Sequence, residues 1–167
     1  MAWIKPYENR TQHIIWAGKN YPDPIGEEPV PEGDGWSNEE EMHLSLRKDG
    51  QVSACFSGSN FKIVRDSGAV RALPNRWTHV AVTWRNETNH FSLYVNGTCI
   101  RQAVRNQQLR IDLDLVYIGK PGQNKRYFNG TIDQVRIFGR ALSENEIKEY
   151  FWMDGGDPNA TLEAHPQ

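Results

Sequence analysis

The chain has 167 residues and a formal net charge of −2, with 38% hydrophobic and 24% charged residues. This length suits one domain with its own core, and the charge gives no electrostatic reason to expect nucleic acid or an anionic membrane surface as a partner. No run of about 18 apolar residues occurs, so membrane insertion is not predicted. The first six residues are typical of a strand, and we find no signal peptide in this chain.

Short segments that alternate between apolar and polar residues predict strands from the start of the chain. Residues 3–6 and 14–19 are predicted to pair as the first hairpin, across a turn at Pro6 and Asn9. Residues 20–41 differ, because four prolines, three glycines and eight acidic residues exclude a regular element there. A loop of this length within a compact domain is often functional.

The middle of the chain predicts two further groups of strands. Residues 42–47 and 52–56 form a hairpin around Gly50, and a short strand follows at 61–64. Residues 77–84 and 91–95 alternate regularly and lead through Asn96-Gly97 into a third strand at 98–103. Since Asn-Gly tolerates positive φ at both centres of a type I′ turn, these three strands should share one apolar face, and that face needs a second sheet to bury it.

The C-terminal part predicts strands at 112–119 and 131–138, followed by a helix. Ser143 and Glu146 form a capping box, and the helix that it starts has Ile147, Tyr150 and Phe151 on one face. A glycine pair at 155–156 should end this helix and leave residues 154–167 as a tail. The predicted fold class is therefore all-β, a sandwich of two antiparallel sheets with one short C-terminal helix.

Four motifs in this order carry a family resemblance: the Trp77-Thr-His-Val-Ala-Val-Thr-Trp strand, Leu93-Tyr-Val-Asn-Gly, Tyr117-Ile-Gly, and the run from Phe128 to Ile147. Together they resemble laminin-G-like domains of the concanavalin A-like lectin/glucanase superfamily. The resemblance covers residues 3–151 and implies a jelly roll in which strand 132–138 lies beside strand 3–6. It implies one domain over residues 1–153, with 20–41 as an insertion, and an extracellular or cell-surface location.

Catalysis is not predicted. Glucanases of this superfamily carry two glutamates flanking an aspartate on one strand, whereas Asp112 and Asp114 here have no glutamate beside them. No nucleophile elbow is present, and the histidines lack metal-ligand spacing. We therefore predict a non-catalytic binding module for a glycan or an extracellular protein surface. The alternatives are a structural or self-association domain of a larger protein and, third, a glycoside hydrolase or polysaccharide lyase.

Candidate ligand contacts are exposed aromatic and planar polar side chains, because the apolar face of a sugar stacks on an indole or phenol ring. Trp36 in the acidic loop and Tyr127 beside the loop at 122–126 are two such candidates. Five more are predicted on sheet surfaces turned away from the core, where they would line one groove: His43, Arg47, His79, Tyr94 and Tyr117. The alternative for these five is an ordinary solvated sheet surface.

The resemblance also allows one calcium ion at the edge of the sandwich, held by carboxylates and backbone carbonyls. Asp133 is the ligand that matches the family, on a strand face shared with Val135 and Ile137, and Asp23 and Asp34 of the acidic loop are further candidates. The alternative is that backbone amides, or an arginine such as Arg136 or Arg140, satisfy Asp133. No other cofactor is predicted.

The two cysteines, Cys55 and Cys99, are too few for a disulfide framework. Both are predicted to point away from the core, with Cys99 opposite Tyr94. They could form a disulfide only if their strands were neighbours in one sheet. Two unpaired thiols are the alternative.

Overall fold

The computed structural model describes residues 1–18, 41–57, 64–65, 70–104, 115–120 and 126–157. These residues contain ten strands and one α-helix, α1 (Glu144–Met153). In chain order the strands are β1 (Ala2–Pro6), β2 (Gln12–Gly18), β3 (Glu41–Leu46), β4 (Val52–Ser57), β5 (Val64–Arg65), β6 (Thr78–Arg85), β7 (His90–Val95), β8 (Thr98–Val104), β9 (Leu115–Ile118) and β10 (Gly130–Asp133). No helix in this described part is long and apolar enough to cross a membrane.

The strands form two antiparallel five-stranded sheets. Sheet one has the order β10-β1-β6-β7-β8, and sheet two has the order β5-β4-β3-β2-β9. The predicted meander of β6, β7 and β8 is confirmed, with Val80 opposite Val95 and Val82 opposite Leu93. Asn96 and Gly97 both take positive φ, 48° and 75°, as the predicted turn requires.

The inner faces of the two sheets meet in one apolar core. Phe56 of sheet two and Phe91 of sheet one are both fully buried, and their ring centroids lie 4.5 Å apart. Further buried residues complete the core, among them Ile4, Ile14, Leu44, Leu46, Val52, Val80, Leu93 and Val95. The predicted all-β sandwich of two antiparallel sheets with one helix is thus confirmed.

Helix α1 begins with the predicted capping box. Ser143 Oγ accepts a hydrogen bond from the Glu146 amide at 3.3 Å, and Glu146 Oε2 accepts one from the Ser143 amide at 2.7 Å. Ile147 and Phe151 are buried and Tyr150 is half-buried, as expected for the apolar face. This face packs on the outer surface of sheet one, where Ile147 joins Leu142 and Tyr94 in a second apolar cluster.

Loss of the cap should weaken the whole domain, because α1 covers one sheet. Ser143→Ala is expected to lower the free energy of unfolding by about 1 kcal/mol, the usual cost of losing a serine cap. Chemical denaturation measures the change, with Glu149→Ala, an exposed site within α1, as the control. A cost no larger than that of Glu149→Ala would contradict the role given to the capping box.

Two sequence predictions about the chain path are wrong. Residues 3–6 and 14–19 do not form a hairpin, because β1 lies between β10 and β6 in sheet one while β2 lies in sheet two. The Tyr7 amide donates to the Asn129 carbonyl at 2.9 Å, so the chain continues along sheet one before it crosses over. The last strand ends at Asp133, since Gln134 takes a left-handed φ of 49°, although its predicted place beside β1 is confirmed.

Other predicted elements are confirmed in part. The short strand predicted at 61–64 appears as Val64–Arg65, and the one predicted at 112–119 appears as Leu115–Ile118. Residues 61–63 and 112–114, and the acidic loop as far as residue 40, lie outside the described residues. Within the predicted tail, the Asp154 carboxylate folds back and makes a two-bond ion pair with Arg136, at 2.5 and 2.9 Å.

The predicted possibility of a disulfide is wrong. Cys55 lies on β4 of sheet two and Cys99 on β8 of sheet one, and neither is disulfide-bonded. The pairing of Cys99 with Tyr94 is confirmed and places Cys99 on the outer side of sheet one, whereas Cys55 lies opposite His43 on sheet two. The two sulfurs therefore lie on opposite outer surfaces of the sandwich. Their strands are not neighbours in one sheet, which was the condition for a disulfide.

Candidate functional site

Two of the predicted ligand contacts, His79 and Tyr94, lie on the part of the outer surface of sheet one that α1 covers. His79 is fully buried, with its ring 5.4 Å from that of Trp3 and 5.8 Å from that of Phe151. Tyr94 is 4% exposed and packs in the cluster beneath α1. The prediction that these residues share one groove with His43, Arg47 and Tyr117 is wrong, because the two groups lie on different sheets.

The outer surface of sheet two carries a different set of side chains, which we call the polar face. Its strand registers place His13 opposite Ser45, and Trp16 between His43 and Tyr117. A β-bulge between His13 and Ile15 explains the pattern on β2, where Ile14 and Ile15 both join the core. The extra residue lets His13 and Trp16 stay on the same outer surface. The polar face comprises His13, Trp16, His43, Ser45 and Tyr117.

Ring stacking organises the polar face. The Trp16 and Tyr117 rings stack at 5.5 Å, and the His13 and His43 rings stack at 4.7 Å. Lys120 Nζ lies 4.6 Å from the centre of the Tyr117 ring, within reach of a cation–π interaction. Gly18 leaves room for the indole, since a Cβ at that position would lie 2.5 Å from Cη2 of Trp16. The other four residues of the polar face are at most 6% exposed, whereas Tyr117 is half-buried, so Tyr117 is the ring that a ligand can reach.

Both histidines of the polar face are neutral at pH 7. Burial, followed by the charge of Arg126, lowers the pKa of His13 to about 4. Burial, followed by the proximity of His13 and Arg126, lowers the pKa of His43 to about 3. A neutral imidazole has one donor and one acceptor nitrogen, so each ring can offer a directional hydrogen bond without a charge.

Two atoms of the polar face are buried without any hydrogen-bond partner. They are Nδ1 of His13 and Oγ of Ser45, on residues that face each other across β2 and β3. Most buried polar atoms in proteins are paired, and the described residues hold further exceptions, among them both ring nitrogens of His79. The sequence prediction missed His13 because it started the strand at Ile14, and it did not select Ser45 from the predicted strand at 42–47. The alternation of Ser45 with Leu44 and Leu46 was the available signal.

The remaining predicted ligand residues are Arg47, Tyr127 and Trp36. Arg47 follows the end of β3, where it is half-buried and its amide donates to the Gln51 carbonyl. Tyr127 is 50% exposed, and its carbonyl accepts a hydrogen bond from Arg10 at 3.1 Å. Trp36 lies outside the described residues. The structure therefore brings together His43 and Tyr117 of the predicted set, on either side of Trp16.

Asp133, the predicted calcium ligand, is exposed at the end of β10. Its Oδ1 accepts a hydrogen bond from the Gln134 amide at 2.7 Å, and Val135 and Ile137 lie beyond the strand rather than on its face. Arg136 pairs with Asp154, and Arg140 pairs with Glu146. The described part of the chain holds no group of three or more His, Cys, Asp or Glu placed to bind a metal. Asp23 and Asp34 lie outside it.

A mostly apolar cavity of about 560 Å³ lies at one end of the sandwich. Its described lining runs from Met42 and Phe56 of sheet two to Val82 and Trp84 of sheet one and the segment 136–142. Glu87 is the one carboxylate among these described lining residues. Glycoside hydrolysis usually needs a pair of carboxylates, so the described lining of this cavity does not supply that chemistry.

The two antiparallel sheets form a sandwich of the lectin-like class. The chain belongs to the concanavalin A-like lectin/glucanase superfamily, whose laminin-G model matches residues 1–148. This confirms the resemblance found in the sequence.

Solved structures share the jelly-roll fold at low identity. The CBM40 of the Ruminococcus gnavus IT-sialidase, bound to α2,3-sialyllactose, has a TM-score of 0.69 and 20% identity over 90% of this chain and 79% of that one. A heptameric SAP-like pentraxin from Limulus polyphemus has a TM-score of 0.64 and 15% identity over 98% of this chain and 73% of that one.

A curated relative is the human adhesion G-protein coupled receptor D1, which is 35% identical over 79 residues. The match covers 45% of this chain and 9% of the receptor, so the chain corresponds to a small part of that protein.

Proposed function

We propose that this chain is a non-catalytic glycan-binding module that acts outside the cell, with the polar face as its binding surface. The observation that carries the proposal is the pair of unpartnered buried atoms, His13 Nδ1 and Ser45 Oγ, beside the Trp16–Tyr117 stack. A sugar offers hydroxyl groups, which both donate and accept hydrogen bonds, and an apolar ring face suited to Tyr117. A few placed polar groups beside aromatic rings are what such a ligand needs.

The relatives support this function through the shared fold. A CBM40 with this architecture has been solved bound to α2,3-sialyllactose. Sialyllactose is therefore one ligand to test, together with neutral oligosaccharides. The location outside the cell is supported by the match to part of an adhesion receptor.

Calcium assistance is part of the proposal. A calcium ion takes six to eight oxygen ligands, and Asp133 supplies one carboxylate, of which one oxygen is already hydrogen-bonded. The other ligands would include backbone carbonyls and acids of the loop at 20–41. Each binding measurement therefore has one arm with calcium and one with a chelator.

The expected result is that glycan binding depends on Tyr117 and Ser45. Tyr117→Ala should lower the affinity about tenfold, equivalent to about 1.4 kcal/mol, because the reachable ring is lost. Ser45→Ala should lower it about threefold to tenfold, the range for one neutral hydrogen bond. A glycan array followed by titration calorimetry measures both effects.

The control separates binding from folding. Since Ser45 Oγ has no partner in the protein, Ser45→Ala should leave the melting temperature unchanged or raised. Ser92→Ala, a buried serine of sheet one, should leave glycan affinity unchanged. Absence of binding to every glycan in both calcium arms, or wild-type affinity in both variants, would contradict the proposal.

Self-association is the second candidate, and one observation favours it. In the described part of sheet two, β9 is an edge strand, and its residues Val116 and Ile118 are 44% and 54% exposed. An exposed apolar edge strand can pair with another chain. Light scattering decides this point, because a mass that stays monomeric at all concentrations would exclude self-association.

A further inference from the structure

A strip of sheet one beyond α1 is chemically distinct, with three exposed residues and a half-buried lysine, and we call it the outer strip. It consists of Lys5, Tyr7, Trp77 and Thr131. Lys5 lies opposite Thr131 on β10, and Trp77 directly precedes Thr78, which lies opposite Ile4. Lys5 therefore has Thr131 on one side and Trp77 on the other, on the same surface as Trp3 and His79.

Tyr7 is held against the outer surface of sheet one by two hydrogen bonds. Its amide is bonded to the Asn129 carbonyl, and its hydroxyl lies 3.2 Å from Oγ1 of Thr131, two residues further along the neighbouring strand. The side chain thus runs diagonally over the surface of sheet one, rather than away from it. Because the ring is held along the surface and is 52% exposed, one ring face is available for stacking.

Trp77 supplies a second aromatic group at a suitable distance. It is 45% exposed and lies on the side of β1 opposite to β10. Tyr7 directly follows β1, and Trp77 directly precedes β6, the neighbouring strand. One inter-strand spacing and two residues along the strand, about 8 Å in all, separate their backbones. This separation is on the scale of two linked sugar rings.

Lys5 lies beside both aromatic groups, and its ammonium group makes no ion pair or hydrogen bond among the described residues. An unpaired ammonium group there favours a ligand with a negative charge between two stacked sugar rings. Asp133 is exposed on β10, two residues beyond Thr131. Its negative charge would repel a ligand that carries many closely spaced negative charges. The charge pattern fits a saccharide with one carboxylate for every two sugars.

We propose that the outer strip binds a carboxylated oligosaccharide, with sugar rings on Tyr7 and Trp77 and the carboxylate at Lys5. This site is additional to the polar face, from which it is separated by the whole thickness of the sandwich. A module with two such faces can bridge two glycan chains, and two linked contacts bind far more tightly than either alone.

Hyaluronan hexasaccharide, with one carboxylate per disaccharide, is the probe, and chitohexaose is the neutral control. Calorimetry should show hyaluronan binding that weakens about tenfold in Trp77→Ala and at least threefold in Lys5→Gln and Tyr7→Ala. With a chelator present, so that no calcium is held at Asp133, Asp133→Asn should tighten binding. Tyr127→Ala, an equally exposed tyrosine outside the strip, should change nothing, and added salt should weaken the wild type more than Lys5→Gln.

Tyr117→Ala and Ser45→Ala distinguish this site from the polar face. Both should keep wild-type hyaluronan affinity, whatever they do to binding of other glycans. Hyaluronan binding that is absent, that is equal for chitohexaose, or that is unchanged in Trp77→Ala and Lys5→Gln would overturn the proposal. Binding that is lost in Tyr117→Ala instead would assign the saccharide to the polar face.

Discussion

Replacing Phe91 with alanine should destabilise the domain by about 3–5 kcal/mol, the range for removing a buried aromatic side chain. Phe91 is fully buried, and its ring joins that of Phe56 across the two sheets. The substitution removes contacts from both sheets at once and leaves a cavity that the rigid strands cannot close. Urea denaturation measures the loss, which is a large part of the stability of an ordinary domain.

The matched controls test where this energy comes from. Val104→Ala, on β8, removes an apolar side chain that is 65% exposed and should change stability by at most about 0.5 kcal/mol. Phe56→Ala should also be costly, and the double variant should lose less than the sum of the two single losses, because both remove the same contact. Additive losses, or a cost below about 1 kcal/mol for Phe91→Ala, would show that the two sheets do not meet there.

Acidification should destabilise the protein well before its carboxylates are protonated. His13, His43 and His79 titrate near pH 6.5 in an unfolded chain. In the folded chain, burial is the main cause that lowers the pKa of His79 to about 4. Burial likewise lowers the pKa of His13 to about 4 and the pKa of His43 to about 3. The unfolded state therefore binds protons between pH 6.5 and 4 that the folded state excludes. Stability is complete above pH 6.5 and falls as the pH drops towards 4.

His79→Phe isolates one of these contributions. Both ring nitrogens of His79 are buried without a partner, between the rings of Trp3 and Phe151. A phenyl ring removes that unsatisfied pair, so the variant should be as stable as the wild type at pH 7, or more so. Between pH 6.5 and 4, the variant should also lose less stability than the wild type. The difference between the two losses should be on the order of 3 kcal/mol. Equal losses in the variant and the wild type would contradict the buried neutral state of His79.

Local sequence signals predicted the elements that depend on neighbouring residues. The Asn96-Gly97 turn fixes the register of β7 and β8 because both residues accept positive φ. The helix start follows from Ser143 and Glu146, whose reciprocal bonds join residues three apart. These features need no knowledge of the tertiary fold.

The candidate site could not be predicted in the same way, because it depends on long-range packing. His79 and Tyr94 alternate out of the core as expected, and only the docking of α1 makes them buried. The bulge at Ile14 shifts the alternation of β2 and returns His13 to the polar face. The crossing of the chain from sheet one to sheet two after Pro6 separates β1 from β2, although each was identified as a strand.

The two outer surfaces give the module its functional asymmetry. One is closed by α1 over His79 and leaves an exposed strip around Lys5, while the other carries stacked rings and unpartnered polar atoms. The most direct measurement is the NMR spectrum of the labelled protein titrated with the tightest-binding glycan of the array. Amide shifts at His13, Ser45 and Tyr117 are the expected result, and shifts confined to Ile147 and Phe151 of α1 would contradict it.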